Sequence, residues 1–160
     1  MDDAARKRVL AQFPYGCYAV TVAHGGAEHA MTATWVTQAS SSPPMLAVAV
    51  ENTSRTIGLI RDARRFAVNL LQEGQRDLAA KLGRPSSGAP HKLKGLKTKP
   101  APSSGAPLLG DALGWLECRL VATLPAGDHT LVLGEVLEAG LEHADARPLT
   151  RDAAGLAYGE

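Results

Sequence analysis

Aromatic residues are scarce in this chain: two Phe, two Trp and three Tyr among 160 residues. Its core must therefore be built from Ala, Val and Leu. Cysteine is scarcer still. Cys17 and Cys118 both sit in apolar stretches and no CxxC occurs, which argues against a disulfide framework and against a thiolate zinc site. Buried, reduced thiols in a reducing compartment are expected. No apolar run reaches 18 residues, so no membrane-spanning helix is expected. Met1-Asp2-Asp3-Ala4 is acidic and unlike a secretory signal. The expectation is a cytoplasmic protein. The net charge is only +1, so nothing draws the whole molecule towards nucleic acid or anionic lipid.

Several catalytic signatures are also missing. No GxGxxG follows a strand, and there is no GxSxG or HExxH. Gly105-Ala106-Pro107-Leu108-Leu109-Gly110 begins like a phosphate loop but continues with Asp111. His24 and His29 are five apart across a turn signal and read as surface histidines; no metal site is expected. The length fits one domain over residues 1–160, too short for a dehydrogenase with its own Rossmann half.

What is present reads mainly as β-structure. Asp2 or Asp3 caps a short helix over 6–12, ended by Pro14 and Gly16. Residues 16–23 form a strand, and 28–38 (EHAMTATWVTQ) read as its returning partner after His24-Gly25-Gly26. Met45–Val50 is a continuous apolar strand, expected to be buried on both faces. Asn52-Thr53-Ser54 starts a helix. Residues 66–71 are a strand and 73–82 a helix closed by Gly83. Residues 113–123 and 129–138 are strands joined by a Pro125–Asp128 turn, and 147–151 read as one more edge strand. The total is about six strands, paired as hairpins, with two or three short helices packed outside. That pattern describes an antiparallel barrel or sandwich.

Residues 84–107 form a long loop rich in Pro, Gly and Lys, of a length usually reserved for function or disorder. Charge is uneven around it. Residues 81–110 carry Lys81, Arg84, Lys92, Lys94, Lys97 and Lys99 and no acid, whereas 111–160 are acidic. The two regions attract each other within or between chains, unless the basic stretch is simply a solvated loop.

Three segments carry polar groups suited to a ligand. In Thr32-Ala33-Thr34-Trp35-Val36-Thr37-Gln38, strand alternation puts Thr32 and Thr34 on one face and Ala33, Trp35 and Thr37 on the other. This arrangement lines a polar aromatic ligand, or is an ordinary strand. At Ser54-Arg55-Thr56 a helix start offers free N–H groups, two hydroxyls and a guanidinium, a set suited to a monophosphate. An N-cap beside a surface arginine is the plain alternative. At Gly127-Asp128-His129, an imidazole at a strand entry either faces a ligand or belongs to a turn.

Taken in order, these pieces resemble the flavin reductase-like, FMN-binding split-barrel family from about Val9 to Tyr158. The signs are Phe13-Pro14-Tyr15-Gly16, MTATWVTQ with Pro43-Pro44 after it, AVAVENTSRT, Phe66-Ala67-Val68-Asn69, SGAPLLGDALGWLECRL and AGDHTLVLGEV. The sequence departs from the pattern at Thr34–Gln38, where many members carry Ser-Ser-Phe-Thr-Ser, and at Ser42, where an acid often precedes the Pro-Pro pair. The resemblance implies a six-stranded antiparallel split β-barrel, Greek-key-like, forming a homodimer with FMN (or FAD) near the interface. It implies hydride transfer from NADH or NADPH to flavin. Thr32–Gln38 would hold the isoalloxazine and ribityl chain, Ser54, Arg55 and Thr56 the phosphate, and His129 would lie on the substrate side.

An NAD(P)H-dependent flavin reductase suits the missing motifs, because the cofactors carry the chemistry. It would feed a partner monooxygenase or another electron acceptor. The rival is an FMN-loaded electron carrier or flavin store without a nicotinamide site. Nucleic-acid binding by Lys92–Lys99 lacks interleaved aromatics for stacking.

Overall fold

The computed structural model describes residues 1–88 and 91–157. Ala89 and Pro90 of the 84–107 loop, and Tyr158-Gly159-Glu160 at the end of the family-like stretch, lie outside the described residues. The chain runs α1 (Asp3–Leu10), β1 (Tyr18–His24), β2 (Ala27–Ala33), β3 (Val36–Ser41), β4 (Pro44–Glu51), α2 (Arg55–Ala63) and β5 (Arg65–Leu70). It continues with α3 (Arg76–Leu82), β6 (Thr98–Pro100), β7 (Pro107–Leu109), β8 (Gly114–Ala126), β9 (His129–Leu141) and α4 (Arg151–Ala154).

Seven strands make one antiparallel sheet in the order β2-β1-β5-β8-β9-β4-β3. The mainly β architecture agrees with the sequence reading; the count of about six does not. The stretch 28–38 is two strands, not one. It pairs with β1 up to Ala33 and with β4 from Val36, and Ala49 N donates to Trp35 O at the crossing. Thr34 and Trp35 therefore link the two outermost strands of the sheet. Alternation could not show this, because β-forming residues continue through the break.

Two further differences come from prolines and from tertiary cover. β6 and β7 pair inside the supposedly irregular loop, despite Pro100 and Pro107, because a two-stranded ribbon leaves one edge free of ladder bonds. Residues 147–151 are not a strand. They make two isolated bridges, Gln72 to Pro148 and Gly16 to Thr150, and turn into α4, capped by the Thr150 hydroxyl. Among the described residues there are four helices, where two or three were expected.

The main core is valine-rich, as the aromatic scarcity required. Val20, Val22, Val48, Val50, Val68 and Val132 pack around Phe66 and Ile60. A fully buried side chain of this kind contributes roughly 1.5–3 kcal/mol. On β4 only Leu46, Val48 and Val50 are fully buried; Met45, Ala47 and Ala49 are half-buried. The expectation of two buried faces is thus corrected, since one face of β4 borders an open space. Cys17 and Cys118 are buried and unpaired. The basic and acidic regions do meet within one chain, where Lys99 Nζ lies 2.6 Å from Glu142 Oε1. No described helix is long and apolar enough to cross a membrane.

Candidate functional site

The space beside β4 is a cavity of about 380 Å³. β2 and the Thr34–Trp35 link form its floor, with Ala49 and Glu51 of β4 beside them. Residues 53–56 at the start of α2 close one side, and the chain from Leu82 to Ser87, with Lys92, closes another. His129 at the start of β9 completes the rim. The sheet break creates this space, because the chain leaves β1 there before joining β4.

Of the residues singled out from sequence, Thr32, Ala33, Thr34, Trp35, Ser54, Arg55, Thr56 and His129 line the cavity. Val36, Thr37 and Gln38 do not; they belong to β3, where Thr37 and Gln38 face solvent. The proposed division into two faces also ends at Ala33, the last residue of β2. Thr32 is tied down, its hydroxyl donating to Ala79 O of α3 at 2.6 Å.

The α2 start has an unusual cap. Ser54 is the N-cap residue but makes no side-chain capping bond. Its hydroxyl, like that of Thr34, is buried without a hydrogen-bond partner. A buried polar atom left unpaired costs about 1–3 kcal/mol. Two of them on one cavity, beside first-turn N–H groups that have no intrahelical acceptor, mark a place for an acceptor-rich ligand.

The basic side chains around it were largely hidden in the sequence. His29, expected at the surface, is 8% exposed. Its Nε2 lies 2.9 Å from Thr56 Oγ1. Burial first, then the charges of Lys92 and Arg55, push its pKa down to about 4. Lys92, expected in a solvated basic stretch, is 7% exposed. Its Nζ donates to Leu82 O at 2.9 Å and Ala30 O at 3.4 Å, and burial lowers its pKa. His29 lies two and four residues before Met31 and Ala33, so its β2 spacing was a usable signal. For Lys92 there was none, because the fold brings it to the floor across 62 residues. A smaller cavity of about 160 Å³ adjoins this corner, sharing His29, Arg55, Ser86 and Lys92 and adding Glu28, His91 and Lys94.

The rim at His129 is aromatic. The rings of Trp35 and His129 lie 4.8 Å apart, tilted by 39°. His129 Nδ1 lies 2.7 Å from Asp128 Oδ1, and this hydrogen bond holds the Asp128 carboxyl below its ordinary range. Cations and free hydroxyls at one corner suit a phosphate. Flat walls at the other suit a planar ring.

The comparisons with known proteins point the same way. The family model described as flavin reductase like domain matches residues 10–158, and the chain belongs to that family. It is 37% identical to an NADH-dependent FMN reductase of Streptomyces nodosus subsp. asukaensis, over 89% of this chain and 77% of the relative. It is 33% identical to the reductase component of a 4-nitrophenol monooxygenase of Rhodococcus opacus, over 87% of this chain and 72% of the relative. Its fold matches an NADH:FAD oxidoreductase of Streptomyces globisporus with a TM-score of 0.84 and 30% identity, covering 93% and 88% of the two chains. Diflavin flavoprotein A 1 of Synechocystis is 34% identical over 89% of this chain, which spans only 25% of that longer protein.

Proposed function

We propose that this protein is an NAD(P)H-dependent flavin reductase that holds FMN in the larger cavity. The observation that carries this reading is the pair of unpartnered buried hydroxyls, Thr34 and Ser54, on a cavity whose corner gathers Arg55, Lys92 and His29. Ser54, Arg55 and Thr56 would hold the phosphate. Thr32 to Trp35 would line the ring and ribityl chain, while Val36, Thr37 and Gln38 would serve only to anchor the link to β4. Bound flavin would take a hydride from NADH or NADPH. The protein's part is to position the two rings and exclude water. In FAD, the second phosphate would lie towards the smaller cavity, where Arg55, Lys92 and Lys94 outnumber Glu28.

Two further features fit this reading. The outermost strands are joined by two residues, so the sheet has to curl towards closure, and we infer a split barrel opening at the cavity. Val9, Leu10 and Phe13 are exposed around α1, which buries no residue, and Leu124 and Leu141 are exposed on β8 and β9. Exposed apolar groups of this kind mark an association surface, and we infer a homodimer. A partner monooxygenase is the natural consumer of reduced flavin, and the Rhodococcus relative is the reductase component of one.

The test compares ligands with and without phosphate. Replacing Ser54 and Arg55 together by Ala should weaken FMN binding roughly a hundredfold, from two lost charge-assisted contacts of about 1.5 kcal/mol each. Riboflavin binding should change by less than about threefold. Equal losses would refute the phosphate assignment. Bound flavin that NADH and NADPH both fail to bleach anaerobically would favour the electron carrier instead.

A further inference from the structure

Lys81, Arg84, Lys92, Lys94, Lys97 and Lys99 follow one another with no acid between them, and of these the flavin reading uses only Lys92. The fold sorts them. Lys99 is paired with Glu142, and Lys97 lines neither cavity. Arg84 lines the larger cavity, Lys94 the smaller one and Lys92 both. Lys81 Nζ donates to Lys94 O at 3.4 Å, which brings a further cation to the same edge. Arg84 and Lys94 are exposed, and among the described residues neither has an ion-pair partner.

Lys92 is common to the two cavities and is held in place. It is 7% exposed, and its Nζ donates to Leu82 O and Ala30 O. An ammonium has three N–H donors, and the third has no acceptor among the described residues, a cost that a ligand oxygen removes. Acids stand apart from this corner. Glu28 is the one acid among the described residues lining the smaller cavity. In the larger cavity the acid is Glu51, the ladder partner of His129, and Asp128 stands beside the same ring with its side chain 92% exposed. The opening is therefore positive at Arg55, Arg84, Lys92 and Lys94 and negative at the His129 rim. FMN is polarised to match, because a phosphate monoester carries a charge of about −1.5 to −2 near neutral pH and the oxidised ring carries none.

We propose that the smaller cavity is a capture site for the phosphate of an incoming flavin mononucleotide. Arg55, Lys92 and Lys94 draw the phosphate in, and it then passes Lys92 into the larger cavity. Glu51 and Asp128 oppose entry in the reverse sense, with the phosphate at the His129 rim. The proposal rests on the flavin reading above. Lys94 lines only the smaller cavity, so for FMN it acts on arrival and not on the bound ligand. Its work belongs to the association rate, where a focused field of one sign raises capture by about 10 to 1,000-fold. Riboflavin has no phosphate and is indifferent to it.

The experiment mixes flavin-free protein with FMN or riboflavin by stopped flow, without nicotinamide, and follows flavin fluorescence. Raising salt from about 0.01 M to about 0.15 M shortens the screening length from about 30 Å to about 8 Å. FMN association should slow about tenfold over this range, while riboflavin association stays constant. At the lower salt, Lys94→Glu should slow FMN association about tenfold and Lys94→Gln about threefold. Lys94→Arg should keep the original rate. None of the three should change the FMN dissociation rate or riboflavin association. Lys97→Glu makes the same change in net charge outside both cavities and should alter FMN association by less than about twofold. An FMN on-rate indifferent to salt, equal slowing by Lys97→Glu and Lys94→Glu, equal slowing for riboflavin, or a change confined to dissociation would overturn the capture site and leave the flavin reading standing. Failure of the unaltered protein to bind FMN at all would sink the flavin reading and this proposal with it.

Discussion

Substituting His29 with Gln should make the protein less sensitive to acid. In the folded protein, burial and the neighbouring charges of Lys92 and Arg55 hold the imidazole pKa down from 6.5 to about 4. In the unfolded chain it titrates near its ordinary value. Between these two values the unfolded state binds more protons than the native state, so stability falls as pH falls through the window and is intact above it. The linkage relation gives a loss of about 1.4 kcal/mol at pH 5.5 and about 2.5 kcal/mol at pH 4.5 from this residue. Gln does not titrate and still reaches the Thr56 hydroxyl. At pH 7.5 the variant should be less stable by about 1 kcal/mol, the common cost of a buried substitution. The two stability curves should therefore cross near pH 5.5 to 6. Urea denaturation from pH 7.5 to 4.5 reads this directly. Parallel curves for the two proteins would refute the depressed His29. FMN provides a second check. A phosphate beside Arg55 and Lys92 offsets their charge and raises the His29 pKa, so FMN should flatten the acid slope of the unaltered protein and leave that of the variant unchanged.

Two further outcomes follow from buried groups away from the cavity. Glu117 is fully buried and accepts hydrogen bonds from the Ser103 and Ser104 backbone N–H groups and from the Ser104 hydroxyl. Glu117→Ala leaves these donors unpaired and should cost about 2–5 kcal/mol, seen as a lower thermal midpoint, whereas an unchanged midpoint would show that the 101–106 segment does not depend on this carboxylate. Burial raises the Cys17 and Cys118 thiols to about 11 and 12, so neither should react with a disulfide reagent at pH 8 until urea is added. Rapid labelling of the folded protein would contradict their burial.

Much of the fold was legible because local periodicity and burial coincide in it. β1, β4, β5, β8 and β9 were recognisable from their β-formers, α2 from its start at Asn52-Thr53-Ser54 and α3 from its closing Gly83. The misreadings share one cause: a neighbour far along the chain overrode the local signal. The single strand over 28–38 became β2 and β3 because two different partners claim its halves. β6 and β7 were obscured by prolines, which a two-stranded ribbon tolerates. Thr37 and Gln38 entered the candidate site through the family resemblance, and they lie on β3 outside the cavity lining.

Scarcity of aromatics, in the end, dictated the material of the core. Six valines and one phenylalanine at its centre are what that composition allowed. The sequence also determined the ordered motifs and the Ser54–Thr56 turn, since these are short-range features written in contiguous residues. Only the tertiary structure decided which charges meet. His29 and Lys92 read as surface groups because each is polar and locally unremarkable. They are buried because β2, the end of α3 and the chain beyond it converge on one corner. Their backbone carbonyl and hydroxyl partners, Leu82 O, Ala30 O and Thr56 Oγ1, come from separate elements. Hydrogen bonds of that kind depend on distances in space, which spacing along the chain does not encode.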